Sequence, residues 1–354
     1  MATEDLLEQA RLRYVSDDIP GFSRKVVGEK FHYFDRIGKK IADQNVIDRI
    51  NKLAIPPAYT NVWICPFANG HLQATGYDKR KRKQYRYHPL WTKISQQEKF
   101  SHLIEFAEEL PKIRGQIRKD IALPGMPREK VTAAVVWLLE NTLIRIGNEE
   151  YEKENKSYGL TTLKHRHASV VDNSKITFQF KGKSGVYHFV RIKSKRVARI
   201  IRRCKELPGQ DLFQYSDDNK ELQTITSDNV NDYLQNIIGE EITAKDFRTW
   251  GGTLMAASVF AKAGISVDEE AAKKNILETI KRVASHLGNK PNTCKKYYIH
   301  PSVIDAYTNG HTISNLTKTL KIKNYKKIDG LDDDENSVLR MLRVMGEKKI
   351  SKMA

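Results

Sequence analysis

Cysteine is scarce in this chain: three in 354 residues, Cys65, Cys204 and Cys294, each far from the others. Three separated thiols supply neither a disulfide framework nor a metal cluster, which points to a reducing compartment. No apolar run approaches the roughly 20 residues that a bilayer-spanning helix needs. The opening "MATEDLLEQARLRY" is acidic, then basic, without the apolar stretch of a secretory signal. The chain therefore reads as soluble and intracellular. Asp, Glu, His and Cys nowhere fall at metal-ligand spacing, and no Ser-His-Asp pattern stands out. Internal repeats and low-complexity linkers are absent too.

Negative charge is also in short supply. Lys and Arg number 61 against 43 Asp and Glu, a net charge of +18 and a pI near 9.6. Such an excess favours a polyanionic partner, because each neutralised phosphate releases counterions. A membrane surface is the competing partner. The chain shows no clean basic amphipathic helix at a terminus and no lipidation motif, so nucleic acid is expected instead.

What is present divides into two textures. After a helix near Glu4 to Tyr14, residues up to about 92 are short aromatic or β-branched runs, "FHYFDRIGKKI", "NVWICP", "HLQATGYD" and "KQYRYHP". They are separated by "PP", "ANG" and "DKRKR" and read as strands. From about Ser95, "EKFSHLIEFAEELPKIRGQIRKD" and "REKVTAAVVWLLENTLIRIG" repeat apolar residues at three and four, as helices do. The expected organisation is α+β: a β-rich unit over 1–92 and a mainly helical unit over 93–354. Within the second unit, "KITFQFKGKSGVYHFVRI" alternates on both sides of "KGKSG" and reads as a hairpin. A basic helix, "KSKRVARIIRRCKEL", follows. "TAKDFRTWGG" opens another with Thr243 and Asp246 spaced as a capping box, and a later helix ends at Gly288.

Several groups could carry chemistry. Lys79, Arg80, Lys81, Arg82 and Lys83 lead into a strand with Tyr85, Arg86 and Tyr87. Cations beside aromatics suit a phosphate backbone, and a solvated hairpin tip is the plain alternative. "GKSG" resembles part of a phosphate-binding loop. Position 177, where that motif needs glycine, is Thr177, and the stretch lies on a hairpin rather than before a helix, so a nucleotide site is not expected. Lys183 could still reach a bound duplex as a proton donor, or be an ordinary exposed turn lysine. Arg145 and Arg248 stand in apolar or helical surroundings and must be paired or face an anion; ion pairs with Glu149 and Asp246 are the ordinary solution. Arginines, a lysine, a polar amide and the pair Tyr297-Tyr298 together suit attack of a phenol on a phosphodiester. Cations would neutralise the crowded phosphorus, and a lysine would protonate the leaving 5′ oxygen. A free phenol, with a pKa of about 10, needs such a pocket to act as a nucleophile.

With these residues in view, the chain resembles the bacterial, poxvirus-like type IB DNA topoisomerases. "PPAYTNVWICPFANGHLQATGYDKRKRKQYRYHP" resembles the family's N-terminal DNA-clamping domain. "NTLIRIGNEEYEKENKSYGLTTLKHRH", "FKGKSG", "KDFRTWGGT" and "LGNKPNTCKKYYIHPSVIDAY" resemble its catalytic domain in order and spacing.

The resemblance implies Arg145 and Arg248 as the catalytic arginines and Lys183, on a β-hairpin, as the general acid. Tyr298 is implied as the nucleophile, with Asn289 nine residues before it where poxvirus and nuclear relatives have histidine. Counting nine back from Tyr297 reaches Gly288, which has no side chain to donate. An amide donates a hydrogen bond but carries no charge. Tyr151 matches a phosphate-contacting tyrosine. Also implied are a catalytic domain of the DNA breaking-rejoining fold, duplex DNA as partner, a monomeric clamp, no metal, no nucleotide or other cofactor, and a place in the bacterial cytoplasm with the nucleoid. The reaction implied is relaxation of positive and negative supercoils through a 3′-phosphotyrosine. A tyrosine recombinase is the alternative enzyme; recombinases have histidine where this chain has Lys245. A DNA-binding protein without catalysis is the alternative of another class. The role of the tail after Thr308, with its acidic "DGLDDDEN", is left open.

Overall fold

In the N-terminal part the short aromatic and β-branched runs form one antiparallel sheet. Its strands are β1 (Phe22–Val27), β2 (Lys30–Phe34), β3 (Thr60–Ile64), β4 (Leu72–Tyr77) and β5 (Lys83–Tyr87), in the order β2-β1-β3-β4-β5. This computed structural model describes residues 3–28, 30–217, 219–239, 242–316 and 326–351. Helix α1 (Thr3–Gln9) is shorter than the expected Glu4–Tyr14 helix, and Arg11 has a positive φ of 52° that a helix does not continue through. Helix α2 (Gln44–Lys52) lays Ile50 against Val62, Ile64 and Ala74, which form the core of this part. In the turn between β4 and β5, Asp78 Oδ1 accepts from the backbone N–H groups of Arg80 and Arg82 (2.9 and 3.0 Å). Strand β5 is an edge and leaves Tyr85 and Tyr87 exposed on one face, their rings stacked 6.0 Å apart.

Helix α3 runs unbroken from Pro89 to Ile121 with Pro111 inside it. The expected change of texture near Trp91–Ser95 falls in its first turns. By packing, the chain divides into two units within α3, Met1–Ser101 and His102–Ala354.

The second unit is mostly helical: α4 (Arg128–Thr142), α5 (Glu149–Asn155), α6 (Lys195–Glu206), α7 (Ser227–Ile238), α8 (Ala244–Ala263), α9 (Glu269–Leu287), α10 (Pro291–Tyr297), α11 (Pro301–Thr308) and α12 (Asp333–Ser351). It also holds the sheet β6 (Ala168–Val171), β7 (Lys175–Lys181) and β8 (Tyr187–Lys193), and a small pair, β9 (Gln214–Ser216) with β10 (Leu222–Thr224). Strands β7 and β8 form the expected hairpin, with Phe180 opposite His188 and Lys181 opposite Tyr187. Helix α4 is the central element. Val131, Ala133, Val135, Val136, Leu138 and Leu139 cover most of its circumference and are all sealed from solvent. A helix apolar on nearly every side must lie inside a bundle, and α4 packs on α6, α7, α8 and β8.

Buried charge is paired where it supports this bundle. Arg114 of α3 donates through Nε to Glu140 Oε1 (2.7 Å) and through Nη2 to Glu335 Oε1 (2.7 Å). The acidic tail segment thereby has a structural role: Asp332 Oδ1 accepts from Glu335 N (2.8 Å) at the start of α12, and Glu335 itself is buried. Removing one partner of such a cluster leaves a buried charge uncompensated, a loss of about 3–5 kcal/mol. Among the described residues, no helix is long and apolar enough to cross a membrane.

Candidate active site

Arg145 and Arg248 make neither of the ordinary ion pairs. Glu149 is near Lys153 (3.8 Å) and Asp246 Oδ2 caps α8 by accepting from Thr243 N (2.9 Å). Arg248, only 3% exposed, instead donates through Nη1 to the carbonyl of Leu143 and through Nη2 to that of Leu287 (2.9 Å). Those carbonyls lie two residues before Arg145 and two residues before Asn289. One guanidinium thus fixes the ends of α4 and α9, where the other two groups begin. Arg145 Nη2 completes the link by donating to Gly288 O (3.1 Å) and to Asn289 Oδ1.

Tyr298 joins this group by ending a helix. It is the C-terminal cap of α10, with φ −132° and ψ −9°, and its N–H donates to Cys294 O (2.9 Å). Its ring centroid is 5.2 Å from the guanidinium carbon of Arg248, within cation–π range. Tyr297, still helical, is 38% exposed, and Lys296 Nζ lies 5.2 Å from its ring.

The "WGG" of α8 has a physical reason. Each mid-helix glycine costs about 1 kcal/mol relative to alanine. A Cβ on Gly251 would meet the Leu143 side chain at 2.6 Å, and one on Gly252 would meet the Tyr298 carbonyl oxygen at 2.5 Å. The two glycines let the end of α4 and the tyrosine backbone close on α8 from different sides.

Charge without counter-charge is the main electrostatic feature. Burial, then the like charge of Arg145, pushes the Arg248 guanidinium down to about 10, so it stays cationic at neutral pH. Burial also lowers Arg145. Arg248 Nε and Asn289 Nδ2 are buried donors with no hydrogen-bond acceptor among the described residues. Leaving such a donor unsatisfied costs about 1–3 kcal/mol, and an anion in the cluster would satisfy both.

One buried neighbour of the site is not among the residues expected from the sequence. His188 of β8 stacks on Phe180 at 4.9 Å. A Cβ on Gly182 would lie 2.7 Å from its ring and one on Gly288 2.6 Å, so the imidazole fills the space between the hairpin and the turn carrying Asn289. Burial, then Arg145 and Arg248, push it down to about 4 and keep it neutral. The available signal is its alternation phase: His188, Val190 and Ile192 share one face of the strand, and a histidine in an otherwise apolar phase is the exception. His167 is likewise pushed down to about 4, by burial and then Arg166 and Lys164.

A histidine held neutral in the fold and near 6.5 when unfolded makes the unfolded chain bind more protons. Its contribution to stability is intact above pH 6.5 and drains away as the pH falls from 6.5 to 4. Thermal melts should therefore show Tm falling below pH 6.5, and His188→Gln should flatten that slope. An unchanged slope in the variant would count against this account.

The remaining expected residues fall on other elements. Lys183 is exposed on the turn between β7 and β8, next to Ser184, which takes φ 63°. In the N-terminal unit, Lys79, Arg80 and Lys81 are exposed, while Arg82 pairs with Asp78 (2.7 Å) and Lys83 with Asp17 (2.7 Å). Tyr85 is 48% exposed. Tyr151 belongs to α5, but its side chain lies outside the described residues. Among the described residues, no three His, Cys, Asp or Glu side chains are grouped to hold a metal ion.

Comparison with known proteins gives two adjacent family matches, which meet in the turn between β4 and β5. Residues 81–327 match the family of the eukaryotic DNA topoisomerase I catalytic core, and residues 30–78 match the N-terminal domain of bacterial DNA topoisomerase IB. DNA topoisomerase 1B of Acanthamoeba polyphaga mimivirus is 32% identical over 296 residues, covering 82% of this chain and 88% of the viral protein. DNA topoisomerase I of monkeypox virus is 25% identical over 248 residues, covering 69% of this chain and 75% of its own. With a catalytic-core match and an N-terminal match side by side, the chain belongs to the type IB DNA topoisomerases, isomerases that act on DNA.

Proposed function

We propose that Tyr298 is the nucleophile with which this topoisomerase opens one strand of duplex DNA. The phenolic oxygen attacks the scissile phosphorus and gives up its proton to solvent. The bond to the 5′ oxygen breaks, and that oxygen takes a proton from Lys183. A 3′-phosphotyrosine and a free 5′ hydroxyl result. The intact strand acts as a swivel, and the reverse attack by the hydroxyl restores the backbone. Because the phosphodiester energy is stored in the protein–DNA bond, no nucleotide is consumed, and supercoil strain sets the direction.

The observation that carries this reading is the pocket of buried donors beside the phenol. Arg145 and Arg248 supply two fixed positive charges in a site with little solvent, where such charges act most strongly on a developing anion. The orphaned Nε of Arg248 and Nδ2 of Asn289 are donors suited to non-bridging phosphate oxygens. Asn289 replaces a cation by a neutral amide, so its share of the rate is smaller than a histidinium's. Binding rests on the +18 net charge, with Lys79 to Lys83, Tyr85 and Tyr151 as backbone contacts. The enzyme acts as a monomer, since one chain carries all five reacting groups.

The test is relaxation of supercoiled plasmid in EDTA without ATP, stopped with detergent to trap the covalent adduct. Relaxation with a 3′-linked adduct is the expected result; strand exchange between paired sites without relaxation would make the enzyme a recombinase. Lys183→Ala should slow cleavage by about 10²–10⁴-fold. Replacing the 5′ oxygen by sulfur, which leaves without a proton, should restore most of that loss. No restoration would remove Lys183 from the general-acid role.

A further inference from the structure

At the end of α4 remote from the candidate active site, four cations converge without a counter-charge. Lys130 stands on the first turn of α4, and Arg196, Arg199 and Arg203 on one face of α6. The spacing of three and four residues puts the three arginines in a row on the helix surface. On the inner side of α6, Val197, Ile201 and Cys204 are buried, and Ile200, also buried, borders the cleft. Together with the loop after α3, these residues enclose a cleft of about 450 Å³. Among the described residues none of the four cations is paired with a carboxylate; Lys130 Nζ donates only to the carbonyl of Leu123 (2.5 Å). Mutual repulsion registers on Lys130, whose pKa is lowered by burial and then by Arg203 and Arg199. Leu123 and Ile200 give the same cleft an apolar wall. Twelve residues of helix, about 18 Å, separate Lys130 from Thr142 at the active-site end.

We infer that this cleft binds a compact polyphosphate anion, the triphosphate of a nucleotide or an inorganic polyphosphate. Arg196, Arg199 and Arg203 are exposed, so water and salt screen part of their repulsion; an anion in the cleft would remove the rest, and arginine forks match phosphate oxygens in pairs. The volume is that of a small-ligand pocket. A concave site of this size concentrates its charge on one small ligand, whereas a duplex spreads its phosphates along a rod. The ligand would bridge α4, which leads into Arg145, and α6, which follows the hairpin of Lys183. Binding at this cleft is independent of the roles proposed for Tyr298 and its neighbours.

Calorimetric titration of the full chain at about 0.15 M salt tests this with tripolyphosphate, ATP and adenosine. Tripolyphosphate should bind with one site, and adenosine should not. Tighter binding of ATP than of tripolyphosphate would identify a nucleotide as the ligand; equal or weaker binding would identify the phosphate chain itself. The double substitution Arg199→Gln and Arg203→Gln should weaken binding at least about tenfold, while Lys183→Ala should leave it unchanged. Arg196→Gln, at an exposed position, gives a second reading if the double variant melts early. Absence of binding at millimolar tripolyphosphate, or full binding by the double variant, would overturn the assignment. So would displacement of tripolyphosphate by a short duplex in a manner that depends on Arg199 and Arg203.

Discussion

Tyr298→Phe should abolish relaxation and the detergent-trapped adduct together, a loss on the order of 10⁴-fold or more, while Tyr297→Phe should relax plasmid at nearly the wild-type rate. The two side chains differ by one residue and one oxygen in the test, so general damage to the fold cannot imitate the result. The physical basis is the end of α10. Tyr297 completes the helix and is partly exposed beside Lys296; Tyr298 turns out of it, its ring over Arg248 and its carbonyl against Gly252. Loss of the adduct in Tyr297→Phe with Tyr298→Phe active would reverse the assignment and dissociate Asn289 from the site.

Arg248→Ala should be costly twice over. Removing one of two cations beside a developing phosphorane charge slows cleavage by about 10²–10³-fold or more. The same change leaves the carbonyls of Leu143 and Leu287 without their donor in a buried site, at about 1–3 kcal/mol each. Stability should therefore fall by about 2–6 kcal/mol, visible as a lower denaturation midpoint in urea. Arg248→Lys keeps a positive charge but cannot span both carbonyls with one planar fork. It should recover part of the rate and little of the stability. A variant as stable as wild type would show that Arg248 does not tie α4 to α9.

Much of the architecture is legible in the residues because it depends on local periodicity. Alternation around "KGKSG" specifies the β7–β8 hairpin, three-and-four repeats specify α4, and Gly288, in left-handed conformation at φ 60°, ends α9. The length of α3 is not legible in this way, since "PLWTKIS" and Pro111 both suggest interruption. A proline removes one hydrogen bond, and the packing of Phe106, Leu110 and Ile113 in the core outweighs it. Single residues divide in the same manner. Arg145, Arg248 and the pair Tyr297-Tyr298 stand out by type, the choice of Tyr298 and of Asn289 comes from the family resemblance, and the partners of all four are not legible. Ion pairs with Glu149 and Asp246 are what sequence proximity offers; the structure instead gives Arg248 two backbone carbonyls and Asp246 a cap.

By itself, then, the sequence determined the β-rich and helical halves, the basic character that selects a polyanion, and the residue types that can attack and neutralise a phosphodiester. These follow from local pattern and composition, which need no knowledge of distant neighbours. Only the tertiary structure decided that Arg248 clasps the ends of α4 and α9, that Gly251 and Gly252 admit Leu143 and Tyr298, and that His188 fills the gap beside Gly288. Each is a contact between residues 39 to 108 positions apart. Such contacts arise from chain packing, and packing at that range leaves no periodic mark in the sequence.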